Sequence, residues 1–293
     1  MPEMPEVQGL VDFLAERTRG LRVAKATVTA IAALKTFSPP FDALVGATVV
    51  GTERHGKFID LLMQTPDASA ARVHLIFHLA KAGWLRWHDV LPETPLKPGR
   101  SPIAIRVGFD DGSGFDLTEA GTRKSLAVYV ARAAADIPGI SALGPDPLTE
   151  TFDREAFAAL LKGRRTQIKG LLRDQQVIAG IGNAYSDEIL HAARMSPYAI
   201  AGDLNDEAID RLFAAMVATL QDAVAVASGK PPADLKDAKR RGMHVHARRG
   251  EPCRVCGDTV QSVFFADRSL EYCPTCQTGG KVLADRRLSR LLK

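Results

Sequence analysis

Four cysteines occur in the chain, all between Cys253 and Cys276, as Cys253-x-x-Cys256 and Cys273-x-x-Cys276 with sixteen residues between the pairs. Two knuckles at that spacing present four thiolates to one cation, the donor set of a structural zinc ribbon. Pro252, Gly257 and Pro274 flank the knuckles and suit their tight turns. A closed four-sulfur site leaves no position for a substrate, so the one Zn2+ expected here is structural and holds a β-hairpin in place. Arg248, Arg249, Arg254, Arg268, Arg286, Arg287 and Arg290 surround the pairs, and guanidinium groups offer a phosphate bidentate hydrogen bonds. Taken alone, the same residues also fit a solvated basic face.

Three other places carry chemistry. The chain opens Met1-Pro2-Glu3-Met4-Pro5-Glu6, and removal of Met1 before a proline exposes a prolyl α-amine. With a reference pKa of about 7.7 to 8.0 against about 10.4 for lysine, such an amine is far more often unprotonated at neutral pH. Attack by a secondary amine on an aldehyde carbon gives a cationic iminium, an electron sink. Glu3 stands beside it as an acid, and Glu6, one helical turn on, can orient the terminus or the helix; a frayed chain end is the plainer alternative. In Arg54-His55-Gly56-Lys57-Phe58, read as the charged opening of an apolar strand, His55 and Lys57 alternate with Gly56 and Phe58 and are expected on one side of a sheet. Ile178-Ala-Gly180-Ile-Gly182-Asn183-Ala-Tyr185, followed by Ser186-Asp-Glu, permits a tight turn whose backbone N–H groups meet an anion at a helix start, though a plain helix hairpin fits equally well. His74 and His78, four apart in an apolar run, read as hydrogen-bonded interior or inter-strand residues.

The elements that must position these groups change character along the chain. Val7, Leu10, Val11 and Leu14 recur at helical spacing, with Gly20 available to close the helix. To about residue 130, short β-prone runs follow (47–50, 57–62, 73–77 and 103–109), with Asp110-Asp-Gly-Ser-Gly as a turn. Strands without intervening helices favour an antiparallel sandwich. Pro138-Gly and Gly144-Pro-Asp-Pro mark a linker, after which the apolar period becomes helical at Phe157/Leu160/Leu161, Ile168/Leu171/Leu172, Ile189/Leu190 and Ile209 to Leu220. The expected fold is therefore α+β and multidomain: an N-terminal β-sandwich with a leading helix (1–130), a linker (131–150), a helical domain (151–243) and a four-cysteine zinc ribbon (244–293).

With 293 residues, 46% hydrophobic and 25% charged, the chain is neither disordered nor fibrous in composition. No apolar run spans a bilayer and the first residues lack a signal-peptide order, so a soluble, cytoplasmic protein with no membrane association is expected. Lys and Arg exceed Asp and Glu by four overall, but residues 230–293 alone hold fourteen basic and seven acidic side chains. The cationic footprint is concentrated in the segment with the cysteines.

Taken in order, Met1-Pro-Glu-Met-Pro-Glu-Val7, His55-Gly-Lys57, the Gly180-to-Glu188 run and the ribbon with Arg268 and Cys273-Pro-Thr-Cys-Gln277 resemble the formamidopyrimidine-DNA glycosylase and endonuclease VIII family, and the match covers nearly the whole chain. The resemblance implies a clamp in which the helical domain carries a helix, two-turn, helix motif and DNA binds in the cleft beside the zinc hairpin. It implies a monomeric base-excision repair enzyme, nucleoid-associated, whose partner is double-stranded DNA with a damaged base or an abasic site. Pro2 would attack C1′ of a flipped nucleotide and Glu3 would act as the acid–base residue, with Glu6 structural beside them. Lys57 would contact phosphates and assist β-elimination; Asn183 and Arg268 would grip the backbone, Arg268 also serving δ-elimination.

The sequence departs from the family at the groups that fill the stack. The family's His-Leu-Gly-Met-Ser/Thr-Gly wedge reads His78-Leu-Ala-Lys81-Ala-Gly83 here, so Lys81 takes the methionine position and reaches DNA as a cation. Thr118 to Ser125 lacks the phenylalanine of the family's Asp-Pro-Arg-Arg-Phe-Gly run, and Ser228 to Met243, the place of a lesion-capping loop, is short and lysine-rich. A non-excising paralogue that binds damaged or abasic DNA is the alternative these departures motivate.

Overall fold

The computed structural model describes residues 1–66, 71–96, 101–265 and 269–284. Two compact units form, one from Met1–Leu143 with Ala227–Lys236 and one from Gly144–Val226 with Asp237–Lys293.

The first unit opens with helix α1 (Met4–Thr18) and continues through strands β1 (Val23–Val28), β2 (Thr48–His55), β3 (Phe58–Gln64), β4 (Arg72–His78), β5 (Gly83–His88), β6 (Ile103–Phe109), β7 (Gly114–Glu119) and β8 (Ala127–Ala131), then a short helix α2 (Pro138–Ser141). The strands make two four-stranded antiparallel sheets, ordered β1-β6-β7-β5 and β2-β3-β4-β8. Alternation sends Ile59, Leu61 and Met63 of β3 and Val73, Leu75 and Phe77 of β4 inward, against Ile105, Val107, Phe115 and Leu117 of the other sheet. The apolar stripe of α1, Val7, Leu10, Val11 and Leu14, is buried in the same core.

The expected sandwich and leading helix are present, with one local correction. Lys57 does not open a strand: β2 ends at His55, Gly56 and Lys57 form a two-residue turn with Gly56 at φ +57°, and β3 starts at Phe58. A two-residue hairpin needs positive φ, which glycine supplies, so Gly56 makes the turn and Lys57 leaves the strand alternation.

The second unit holds α3 (Arg154–Leu161), α4 (Ile168–Arg173), α5 (Asn183–Ala192) and most of α6 (Asp206–Ala227), followed by the hairpin β9 (Gln261–Phe264) and β10 (Ser269–Tyr272) and by α8 (Pro274–Thr278). Its buried side chains include the predicted stripe residues Phe157, Leu161, Ile168, Leu171, Leu172, Ile189, Leu190, Leu212, Met216 and Leu220.

A further helix, α7 (Pro232–Gly242), occupies the stretch whose composition gives no apolar stripe. Its first residues belong to the sandwich unit. Leu235 is buried in the sandwich core beside Gly9 of α1, where an added Cβ would lie 3.0 Å from the Ala227 carbonyl. The Trp84 indole donates to the Pro232 carbonyl at 3.1 Å, and the Lys236 ammonium sits 4.3 Å from the Trp84 ring centroid. Leu235→Ala is expected to cost about 2–5 kcal/mol by opening a cavity in this core; an unchanged unfolding transition by calorimetry would show that the segment does not help hold the sandwich.

Candidate nucleic-acid interface and active site

Glu3 is the N-cap of α1, and Glu6 carries its carboxylate back to accept the Glu3 backbone N–H at 2.8 Å. That contact satisfies a donor which the helix cannot and places a negative charge at the positive end of the helix dipole. Pro2, Glu3 and Glu6 are all buried. Farther along α1, the Val11 carbonyl accepts from Thr52 Oγ1 and Gln8 Oε1 from Arg54 Nε at 2.7 Å, so α1 runs antiparallel to β2. The helix start therefore lies toward the same end of the sheet as the Gly56–Lys57 turn. Lys57 is buried to 7% exposure. Next to it His78, paired with Phe58 across the ladder in a tilted ring contact with centroids 4.8 Å apart, has its pKa pushed down to about 4 by burial and by the Lys57 charge. Ala80 N–H donates to His78 Nδ1 at 3.2 Å, which leaves the proton of the neutral ring on Nε2.

Lys81 is exposed at the tip of the turn that joins β4 to β5. Ala80 adopts φ +50°, Gly83 N–H closes on the Leu79 carbonyl at 2.8 Å, and a Cβ at Gly83 would lie 2.3 Å from that oxygen, so only glycine fits. Ala120 N–H donates to the Ala82 carbonyl at 3.3 Å and sets the 120–125 loop beside this turn. Within that loop Lys124 Nζ donates to the Glu119 carbonyl at 2.6 Å, while the Glu119 carboxylate accepts from Ser125 and Leu126 N–H. Neither segment exposes a large apolar side chain.

In the second unit the Gly180-x-Gly182 run forms the connection between α4 and α5. Gly180 takes φ +87° and Gly182 is the N-cap of α5. The Gln175 side chain ties the connection, its Oε1 accepting from Gly180 N–H at 3.0 Å and its Nε2 donating to the Ile181 carbonyl at 2.7 Å. Asn183 is the first residue of α5, and its Nδ2 donates to the Ser269 carbonyl of β10 at 2.9 Å. Arg268, immediately before β10, lies outside the described residues, as do Arg286, Arg287 and Arg290.

The residues after Asn183 bind the zinc segment to this helix, a role that no single spacing announces. Glu188 accepts three successive backbone N–H groups, from His244, Val245 and His246, at 2.7, 3.0 and 2.8 Å. Asp187 is 1% exposed and receives Lys169 Nζ on one oxygen and, at 2.8 Å, His246 Nδ1 on the other. His246 also lies 3.0 Å from Glu271 of β10, whose second oxygen accepts from Ser269 Oγ. Burial opposes the charge on His246, but hydrogen bonds to Asp187 and Glu271 outweigh it and push its pKa up to about 9. The Ser186-Asp-Glu run was the only trace of this network in the sequence.

Cys253, Cys256, Cys273 and Cys276 converge, with Sγ atoms all within 4.8 Å of one another and the 253–276 and 256–273 pairs at 3.9 and 3.3 Å. A tetrahedron with Zn–S bonds of about 2.3 Å has edges of roughly 3.8 Å, so the four sulfurs fit that ion. Val255 N–H donates to Cys253 Sγ at 3.4 Å, and His191 Nε2 of α5 lies 3.3 Å from the same sulfur, contacts that favour a bound thiolate. Among the described residues no helix is long and apolar enough to cross a membrane.

Family models match three stretches: residues 1–128, the formamidopyrimidine-DNA glycosylase N-terminal domain; residues 143–231, the formamidopyrimidine-DNA glycosylase H2TH domain; and residues 250–279, a zinc finger found in FPG and IleRS. An uncharacterized formamidopyrimidine-DNA glycosylase-like protein of Mycobacterium tuberculosis is 57% identical over 159 residues, 54% of this chain and 99% of that one. The formamidopyrimidine-DNA glycosylase of Heliobacterium modesticaldum is 33% identical over 94% of this chain and 100% of its own length. Among solved structures, the Lactococcus lactis enzyme bound to DNA with an abasic site superposes with TM-score 0.80 at 25% identity, covering 94% of this chain and 99% of that one. MutM bound to DNA with carbocyclic 8-oxo-G superposes with TM-score 0.81 at 26% identity, over 94% and 100%.

The His246 contacts carry a pH dependence. A histidine whose folded pKa is about 9, against about 6.5 unfolded, contributes stability that is complete below pH 6.5 and lost as pH rises through 9. Denaturation of the zinc-loaded protein is expected to become easier across that window, and His246→Gln to flatten the change; an equal slope in both proteins would remove His246 from the account.

Proposed function

The chain belongs to the formamidopyrimidine-DNA glycosylase family, and from that premise we propose that it is a bifunctional DNA glycosylase and AP lyase acting on double-stranded DNA with an oxidised or otherwise damaged base or an abasic site. The observation that carries this reading is the buried Pro2–Glu3 start of α1, held by Glu6, toward the end of the sheet where the Lys57 turn lies.

In the proposed reaction the Pro2 amine, freed by removal of Met1, forms a bond to C1′ as the bond from C1′ to the base breaks, with Glu3 moving the proton that opens the sugar. Loss of the amine proton leaves a C1′ iminium, which acidifies the C2′ hydrogen; removal of that proton expels the 3′ phosphate. Lys57 contacts phosphate and assists the proton transfer, next to a neutral His78 that does not compete as an acid. Glu6 serves by position. Asn183 and Arg268 grip backbone phosphates, and Arg268 serves the second elimination, which releases the sugar remnant. One structural Zn2+, bound by Cys253, Cys256, Cys273 and Cys276, keeps the basic hairpin folded. The protein acts as a monomer in the cytoplasm, on the nucleoid.

The test is borohydride trapping on duplexes carrying an abasic site or an oxidised base. A covalent adduct that Pro2→Gly abolishes is expected. Tight binding without an adduct on any substrate would support instead a non-excising DNA-binding paralogue, the reading favoured by the absence of exposed apolar groups at 79–82 and 120–125.

Those loops also set the lesion preference. Extracting a base from a paired stack costs a few kcal/mol, which an inserted apolar side chain offsets and the solvated Lys81 ammonium does not. Lys81→Met is therefore expected to raise excision from fully paired duplex on the order of tenfold while leaving cleavage at a preformed abasic site unchanged. An equal effect on both substrates, measured in single-turnover assays, would contradict the stack-filling account.

A further inference from the structure

The face of the β2-β3-β4-β8 sheet that points away from the sandwich core carries a donor cluster with no part in the reaction above. Glu53 and Asp60 are direct partners in the β2–β3 ladder, with His55 two residues beyond Glu53. On β4, His74 is two residues from Ile76, the partner of Asp60. All four side chains therefore meet on one face of three neighbouring strands.

His55 Nε2 lies 3.1 Å from an Asp60 oxygen and 3.8 Å from a Glu53 oxygen, and one donor atom from each of the three lies within 4.8 Å of the other two. His74 Nδ1 lies 3.0 and 2.9 Å from the two Asp60 oxygens. The Asp60 side chain is 1% exposed, whereas His74, His55 and Glu53 are 14, 22 and 62% exposed. The carboxylate is thus the floor of a well with a solvent-facing rim. Burial works against its charge, yet hydrogen bonds from His55 and His74 hold its pKa below the ordinary value, so an anion sits there at neutral pH with two imidazoles as partners.

We propose that Glu53, His55 and Asp60 form a second metal site, for a divalent transition-series cation such as Zn2+, with His74 orienting Asp60. An imidazole with two carboxylates suits Zn2+ and its neighbours and is a poor set for Mg2+ or Ca2+, which take oxygen donors. Bonds of about 2.0–2.1 Å at tetrahedral angles separate donor atoms by roughly 3.3 Å, between the two separations from His55 Nε2. Asp60 can give one oxygen to the ion while the other accepts His74 Nδ1–H, the usual arrangement by which a partner fixes a ligand's orientation. Three protein ligands leave a coordination position for water. Glu53 and His55 precede the Gly56–Lys57 turn and Asp60 follows it, so the ion ties together the two strands that present Lys57.

The experiment is a titration of the purified full chain, its four-cysteine site already loaded with Zn2+, using Co2+ and Zn2+ followed by calorimetry and visible absorption. One further equivalent per chain is expected, with weak Co2+ ligand-field bands and no thiolate charge-transfer band. His55→Gln should weaken that equivalent at least tenfold and His74→Gln roughly 10–100-fold, the range for an orienting partner, while zinc retention at the cysteines reports that each variant is folded. No further equivalent beyond the zinc at the cysteines, a further equivalent unaffected by His55→Gln, or a further equivalent with the thiolate band would each overturn the assignment. None of these readouts depends on glycosylase activity.

Discussion

Two adjacent carboxylates on α5, Asp187 and Glu188, hold the C-terminal part of the second unit together. A segment of about 50 residues is too short to build a core of its own. What substitutes for one is the cysteine cluster at one end and, at the other, Glu188 accepting three consecutive backbone N–H groups from residues 244–246. Leaving the buried Val245 N–H without an acceptor would alone cost about 1–3 kcal/mol. Asp187 is nearly inaccessible, and a buried carboxylate is tolerated only when paired; Lys169 and His246 supply the pairing. Through His246 and Glu271 the same network reaches β10, and the Asn183 amide holds the Ser269 carbonyl one residue beyond Arg268. The strand and the helix start are therefore positioned by shared hydrogen bonds. Packing area contributes less, because the hairpin's own buried apolar set is small.

The sandwich unit solves a different problem. The amine proposed as nucleophile stands at a chain end, where chains fray, and it must be held as firmly as a side chain. Here the Glu3–Glu6 contact closes the first turn of α1, and the apolar stripe of the helix is buried along its length, so the two residues after Met1 inherit the rigidity of the core. The Lys57 turn is equally constrained, between a glycine at positive φ and the Phe58–His78 ring contact. Burial acts on the neighbouring titratable groups in opposite senses: it keeps His78 neutral, while two imidazole hydrogen bonds keep Asp60 charged.

Much of this was legible in the residues because the informative features were local. Two Cys-x-x-Cys pairs, a Gly-x-Gly-Asn turn and an apolar helical stripe state their structure over a few positions, and each has its expected place. Where several strands or distant segments must cooperate, the linear pattern was silent. The histidines at 74 and 78 looked alike, spaced four apart in one apolar run; on β4 they share a face, yet one meets Asp60 from β3 and the other the Lys57 turn. Gly56 in the charged cluster before Phe58 fits strand alternation as well as a turn, because the residue types on either side suit both and only the backbone of two residues separates them. Helix α7 was hidden because its core contribution is a single Leu235 beside Gly9, too little for a periodic signal.

The charge distribution follows from the same physics. The excess of basic residues after position 230 lies on a segment whose buried attachments are acidic: Asp187 and Glu188 accept from its histidine and backbone, while Arg240, Arg241, Arg249 and Arg254 are exposed. Arg254 is itself partly committed, donating to the Arg241 carbonyl at the end of α7, and Arg249 lies over the Phe264 ring. Carboxylates inside and guanidinium groups outside separate the two tasks of the segment. Attachment is through desolvated hydrogen bonds that salt screens little, and contact with a polyanion is through solvated cations that salt screens strongly. A finger built this way can weaken its hold on a polyanion as ionic strength rises without loosening its own attachment to α5.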